Sequence, residues 1–369
     1  MTSKKEMKQF VKFPFSIYKN NKYWVPPIIK EELDGLDKTK NPAFENAEAQ
    51  FFVALMNGKI VGRVAAIINR YEVDKQQIKK MRFGWFDVID DLQVTKVLLD
   101  KVREIGKEKN LEYIEGPVGF SNLDKVGVLI DGFDHIGTMI TWYSPPYYKD
   151  HLEKLGYTKE KEYLENKFLL KNVDGVYYDR VANIIKRRFK LTALNFTKTQ
   201  DIMPYVDEMF DLFNKTYSTL SSYVPISDTQ IAFFKKKYIG FINPDFIKFV
   251  MDENKKLVAF GIMMPSFSEA LQKAKGKLFP FGIFHLLKAR KNPETMTSYL
   301  IGVDQEYQNK GVTAIIFDEY TKAFNAKGVK TVVRTPELEE NTAIHQLWKN
   351  FDPVTHKRRR TYKKMINDK

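Results

Sequence analysis

The sequence predicts a mixed fold, α+β or α/β, arranged as two domains in tandem, and two observations carry that expectation. With 369 residues, 43% of them hydrophobic, the chain holds enough apolar material for two cores of ordinary size. It also writes one order of elements twice: a β-hairpin, a strand, a helix and a second strand.

In the first copy, residues 51–66 read as two apolar strands joined at Asn57-Gly58, a pair that tolerates the left-handed backbone of a two-residue hairpin turn. A strand at 83–88, a helical pattern over 94–109, a strand at 111–116 and a final segment at 147–157 follow. In the second copy the hairpin spans 246–261. A strand near 299–303, an amphipathic helix up to 322, a β-branched strand at 330–335 and a helix from Asn341 complete it. The join is expected near 166–176, which divides the chain into 1–168 and 169–369.

The most informative stretch is the polar loop Gln308-Asn309-Lys310-Gly311-Val312-Thr313, placed where an apolar strand gives way to a helix. Unpaired N–H groups and the positive end of the helix dipole can converge there on an anion. Gly311 permits close approach and Lys310 supplies charge.

The loop resembles the pyrophosphate-binding signature of the GNAT N-acyltransferase superfamily, Arg/Gln-x-x-Gly-x-Gly/Ala, with Gln308 and Gly311 matching and Thr313 at the last small position. Residues 341–351 resemble the family's second element, Asn-x-x-Ala-x-x-Leu-Tyr, through Asn341, Ile344 and Leu347. In the first copy, Glu153-Lys154-Leu155-Gly156-Tyr157 is similar to the tail of that element. The resemblance implies two GNAT-like domains, each a mixed, mostly antiparallel twisted sheet flanked by helices. It implies acetyl-CoA or another acyl-CoA bound by the second domain alone. The pantetheine arm would run along Leu300, Ile301, Gly302 and Val303, and the diphosphate would rest on Gln308 to Thr313 beside Asn341. Residues 92–96 contain no glycine, so the first domain is expected to lack the phosphate cradle.

Amine acylation needs a neutral amine, a polarised thioester carbonyl and an acid for the departing thiolate. The family's usual acid is the Tyr of the second element. Here that position holds Trp348, and an indole does not donate a proton in this way. Tyr299 and Tyr307 are the candidate replacements, and Glu306 is the candidate base. The loop at 116–135 interleaves glycines and carboxylates, and an aromatic run follows it. Asp124, Asp131, Trp142 and Tyr143 are taken from this region as candidates for binding a small-molecule or peptide amine. Two other functions stay open. Aminoacyl-tRNA-dependent transferases pair related domains, and a degenerate pair could serve as a ligand-binding scaffold.

The net charge of +14, from 60 Lys and Arg against 46 Asp and Glu, favours anionic partners without selecting one. Its densest run, 356–364, reads as the solvated face of a terminal strand, with a nucleic-acid track as the other reading. Absent cysteine removes disulfides, thiolate metal sites and a thiol nucleophile. The five histidines are scattered, so no metal is expected, and neither a nucleophile elbow nor a Walker loop is present. The N-terminus leads into no apolar signal core and no apolar run reaches membrane-spanning length, which reads as cytoplasmic. Residues 267–290, apolar and aromatic with flanking cations, leave three readings open: a packed helix, a lid over a hydrophobic substrate, or a membrane-surface anchor.

Overall fold

A computed structural model describes residues 1, 3–121, 123–220, 223–236 and 242–368. The duplicated order is visible in it. In the first half, β1 (Ala47–Met56) and β2 (Lys59–Asn69) form the expected hairpin. Asn57 and Gly58 take the positive φ values, 51° and 75°, that a tight two-residue turn demands. Next come β3 (Lys80–Val88), a helix Leu92–Glu108, and β4 (Tyr113–Gly116) parallel to β3. A short β5 (Val128–Asp131), a helix Tyr147–Lys154 and the long β6 (Thr158–Leu169) complete this half.

The second half repeats the plan with additions. Helices Gly175–Phe189 and Val206–Tyr217 flank β7 (Thr192–Leu194), and β8 (Ile247–Met251) and β9 (Leu257–Pro265) make the second hairpin. Two helices, Ser268–Ala274 and Gly282–Lys291, precede β10 (Thr295–Val303). Helix Thr313–Lys327, β11 (Thr331–Arg334), β12 (Glu337–Leu338), helix Thr342–Trp348 and β13 (Val354–Met365) follow.

All the strands belong to one continuous sheet in the order β1-β2-β3-β4-β13-β6-β11-β10-β9-β8-β7, with β5 on β13 and β12 on β6. The last strand of each half is therefore seated in the other. β13 pairs with β4, β6 pairs with β11, and the two exchanged strands run antiparallel to each other along their length. The expected division at 168 falls on the penultimate residue of β6, a strand shared by both halves. Apolar clusters cover both faces of the sheet in each half: Leu98 and Val102 of helix Leu92–Glu108 cluster with Phe83, and Ile316 and Phe317 of helix Thr313–Lys327 cluster with Trp348. On the opposite faces lie Phe10, Phe51 and Trp85 in the first half and Phe210, Phe213 and Phe260 in the second.

The basic run at 356–364 is not a solvated face, and this corrects the expectation. It forms most of β13 at the centre of the sheet, with Lys357, Arg359 and Thr361 fully buried. Strand alternation sorts its cations. Lys357 and Arg359 turn to one side and share the buried carboxylate of Glu165 on β6, Lys357 Nζ at 2.9 Å. Arg358 and Arg360 turn to the other side and donate to Glu162 at 3.0 and 2.9 Å. A second buried network lies in the first half, where Lys80 bridges Glu72 and Glu115 at 2.8 and 2.9 Å and Arg82 donates to Glu72. Buried charges persist only when paired and hydrogen-bonded, and both networks meet that condition.

Burial, the largest influence on Glu165, raises its pKa, but Arg359 and Lys357 more than reverse this and bring it to about 2. Replacing the carboxylate strands two buried cations. Glu165→Ala is expected to lower the unfolding free energy by about 3–5 kcal/mol in urea titrations. The folded pKa of about 2 lies below the ordinary 4.5, so the stabilisation from Glu165 is complete above pH 4.5 and is lost as pH falls toward 2. Stability of the parent protein should decline through that window, and the variant should show a shallower slope.

Candidate acyl-donor site

β10 and β11 are parallel neighbours only over Thr295–Ser298 and Thr331–Arg334. Thr335 N donates to Ser298 O at 3.3 Å, and there the two strands part. The chain after β11 turns away to pair with β6 through β12, whereas β10 runs on to Val303 with β9 along one edge. A β-bulge at Tyr299 marks the parting point. Beyond it the carbonyls of Ile301 and Val303 are met by side chains, Tyr217 Oη at 3.2 Å and Gln308 Nε2 at 3.2 Å, in place of a strand partner. Gly302 has a packing reason to be glycine, since a Cβ there would lie 2.4 Å from the Phe260 ring.

At the far end of this open edge the chain turns through Gln305–Tyr307 into the loop before helix Thr313–Lys327. Gln308, Asn309, Lys310 and Gly311 are exposed, and Asn309 and Gly311 are left-handed, with φ of 59° and 76°. Among the described residues, the N–H groups of Gly311, Val312 and Thr313 have no hydrogen-bond acceptor, and no side chain caps the helix. Lys310 Nζ lies over the rings of Tyr307 and Phe189, 5.2 and 5.5 Å from their centroids. Unsatisfied amides, a helix dipole and a cation thus meet on an accessible surface that suits an anion.

The equivalent place in the first half is closed twice over. The helix Leu92–Glu108 carries its own anion, because Asp91 accepts from Gln93 N at 2.8 Å and Val94 N at 3.3 Å. β3 and β4 end their pairing as β10 and β11 do, with Val118 N donating to Phe83 O at 2.8 Å, but here the space beyond that bond is filled. Gly84 there faces Val118 O so closely that a Cβ would come within 2.4 Å of it, and the ring of Trp142 covers the same spot. Trp142 packs edge-on against Trp85, its indole N–H buried and unpartnered among the described residues.

The candidates taken from the sequence divide by location. Leu300, Ile301, Gly302 and Val303 lie on the open part of β10, and Gln308 to Thr313 form the exposed loop and helix start. Tyr299 sits at the bulge, packed with Leu300 against the apolar cluster that includes Phe213. Glu306 and Tyr307 lie past the other end of β10. Glu306 is exposed, and Tyr307 Oη donates to Asp252 Oδ2 at 3.4 Å, its pKa raised by burial and then by that carboxylate. Asn341 caps helix Thr342–Trp348 by accepting from Ile344 N at 3.2 Å. Trp348 is a core residue against Phe317 and Phe351, with the Arg334 guanidinium 5.2 Å from its ring.

The four residues taken as amine contacts each have a local structural contact, Trp142 with Trp85. Asp124 accepts from Ser121 N and Oγ at 2.8 and 3.2 Å, and burial raises its pKa. Exposed Asp131 binds the N–H of Gly132, and Tyr143 Oη donates to Phe133 O.

Sequence reasoning missed Asp304, which is buried immediately after β10 and accepts from Lys215 at 3.0 Å, Lys256 at 3.3 Å and Glu306 N at 3.1 Å. Burial opposes its charge, yet the Lys215 hydrogen bond and its neighbours hold the carboxyl below the ordinary carboxylate value. This knot fixes the turn that presents the loop. Lys215 is too distant in sequence for the pairing to be legible there.

No family model matches the chain. Among solved structures, a tandem GNAT protein from the clavulanic acid biosynthesis pathway superposes with a TM-score of 0.57 at 9% identity, covering 100% of this chain and 97% of that one. The chain has the tandem GNAT fold. A second GNAT-related structure, an Enterococcus faecalis protein described as a probable N-acyltransferase, gives a TM-score of 0.52 at 7% identity over 99% of this chain and 71% of that one. Two curated relatives match nearly end to end. Protein YghO of Escherichia coli K12 is 26% identical, covering 99% of this chain and 94% of its own length. The bacterial ceramide synthase of Caulobacter vibrioides is 24% identical over 98% and 95% respectively.

The contrast between the two helix starts makes a prediction. Asp91→Ala removes a satisfied cap and is expected to lower stability by about 1 kcal/mol. CoA affinity, measured by calorimetry on the same variant, should be unchanged.

Proposed function

We propose that this protein is an acyl-CoA-dependent N-acyltransferase whose donor binds in the C-terminal half. The observation that carries the reading is the coincidence of an open strand edge and an uncapped helix start in that half, where the equivalent elements of the first half are closed. The donor diphosphate lies on the N–H groups of Gly311, Val312 and Thr313 beside Lys310, and the pantetheine amides pair with the edge of β10 that has no strand partner, displacing Tyr217 Oη and Gln308 Nε2 from its carbonyls. On this reading the thioester falls near the bulge at Tyr299, four residues, or roughly 13 Å, back along the strand from Val303.

With Trp348 buried in the core, no tyrosine stands at the usual acid position. Glu306 and Tyr307 lie at the diphosphate end of β10, so among the three candidates the reading assigns proton donation to Tyr299. Positioning of the amine and polarisation of the carbonyl by backbone N–H groups supply the remainder of catalysis. The acceptor class follows from the relative named as a ceramide synthase, a ceramide being an N-acylated long-chain amino alcohol. A long-chain primary amine is the acceptor proposed here. Lys357, Arg358, Arg359 and Arg360 of the basic run are engaged by Glu165 and Glu162 in the central sheet, which removes that run as support for a nucleic-acid partner.

Any side chain at Gly311 must adopt a φ of 76°, and its Cβ would lie 3.2 Å from Ile185. Gly311→Leu is expected to weaken CoA binding at least about tenfold in calorimetry, because the strained loop no longer presents its amides. The parent protein, incubated with acyl-CoA and a long-chain amine, should yield the amide by mass spectrometry. Equal CoA affinity in parent and variant would contradict the placement of the donor.

A further inference from the structure

The two helices between β9 and β10 carry a surface that the transfer reaction does not explain. Their inner side is fixed. Leu271, Ala274 and Leu286 belong to the core of the second half, and Ile29 N donates to Gly276 O at 2.9 Å, tying the connecting turn to the N-terminal segment. A Cβ on Gly276 would lie 2.6 Å from the Phe15 ring, so this turn packs without slack.

The outer side is apolar and aromatic. Phe279, Phe281, Phe284 and Leu287 are 75, 72, 65 and 46% exposed, and the three phenylalanines are the only exposed ones among the described residues of a chain that contains 28. Exposed apolar residues scattered singly need no explanation, but a rigidly held cluster of aromatics does. The packed-helix reading accounts for the inner side of helix Gly282–Lys291, and the exposed outer side is what it leaves unexplained.

Cations surround the cluster. Lys273, Lys275, Lys277, Lys288 and Lys291 are exposed, and Arg290 is half-buried. Between Glu269 and Glu294 the sequence contains no acidic residue. Among the described residues none of these six cations is in an ion pair with a carboxylate. Elsewhere on this chain lysines commonly find acidic partners, as Lys159, Lys322 and Lys330 do.

We infer that this face docks the protein on an anionic lipid bilayer, with the phenylalanines inserted at the headgroup boundary and the lysines on the acidic lipid heads. Aromatic side chains favour that boundary, and unpaired cations beside them match its negative potential. No helix among the described residues is long and apolar enough to cross a membrane, so the contact is one of lying on the surface. The insertion joins the end of β9 to the start of β10, the end of β10 opposite the loop at Gln308 to Thr313. A bilayer at that face leaves the exposed loop free. The inference stands on the surface alone and does not need the transfer reaction.

Co-sedimentation of the full chain with vesicles tests it. Vesicles of phosphatidylcholine and phosphatidylglycerol at about two to one should pull down the protein, and pure phosphatidylcholine should not. Binding should weaken when salt is raised from about 0.1 M to about 0.5 M. Replacing Phe279, Phe281 and Phe284 together by Ser should reduce partitioning by about tenfold or more, with no change in thermal midpoint because all three are exposed. A second variant, with Lys277, Lys288 and Lys291 changed to Glu, should lose the preference for phosphatidylglycerol. The inference is overturned if the parent stays in the supernatant with mixed vesicles, or if the serine variant sediments equally well. It is overturned equally if light scattering shows the aromatic face pairing two copies of the chain with no vesicle binding.

Discussion

The arrangement rests on the exchange of β6 and β13. Two domains in tandem could have been independent, with a linker between them. Instead each supplies the strand that completes the other's sheet, and Glu162 and Glu165 neutralise the cations that β13 brings into the centre. Buried ions of this kind contribute little net stability compared with apolar residues of the same volume, but they punish any register that separates them. A one-residue slip of β13 would turn Lys357 and Arg359 away from Glu165. The seam therefore fixes the relative placement of the halves, and with it the position of β11, whose departure from β10 makes the open edge.

Duplication has left one fold with two fates. Both halves contain a strand, a loop, a helix and a parallel strand. In the first, Asp91 accepts from two helix amides, and the Val118 carbonyl and the Trp142 ring fill the space beyond the last bond between β3 and β4. In the second the helix amides are uncapped and the strand edge has no strand partner, only side chains on its carbonyls. An uncapped helix start costs about 1 kcal/mol relative to a capped one. On the proposed function, the partner of these amides is an external anion. The Asp304 knot with Lys215 and Lys256 holds the open loop in place without occupying it.

Much of this was legible because it is local. Asn57-Gly58 announces its hairpin, the β-branched run at 331–334 announces a strand, and Gly311 ahead of an amphipathic helix marks the loop. The absence of a cradle after Asp91 could be read from missing glycine, although the capping carboxylate is the more direct cause. What escaped was long-range. Nothing in residues 356–364 reveals that alternate cations face carboxylates nearly 200 positions earlier, so a buried central strand looked like a basic surface. The candidates Asp124 and Asp131 satisfy local N–H groups, a use of Asp that composition cannot separate from substrate binding.

The central claim is that one donor binds per chain, on the helix start of the C-terminal half. Amide hydrogen exchange with and without CoA tests this most directly. The account predicts slowed exchange confined to Tyr299–Val303 and Gln308–Thr313, with the segment after Asp91 unaffected. Protection at residues 92–96, or no protection at Gly311, Val312 and Thr313 under saturating CoA, would contradict it.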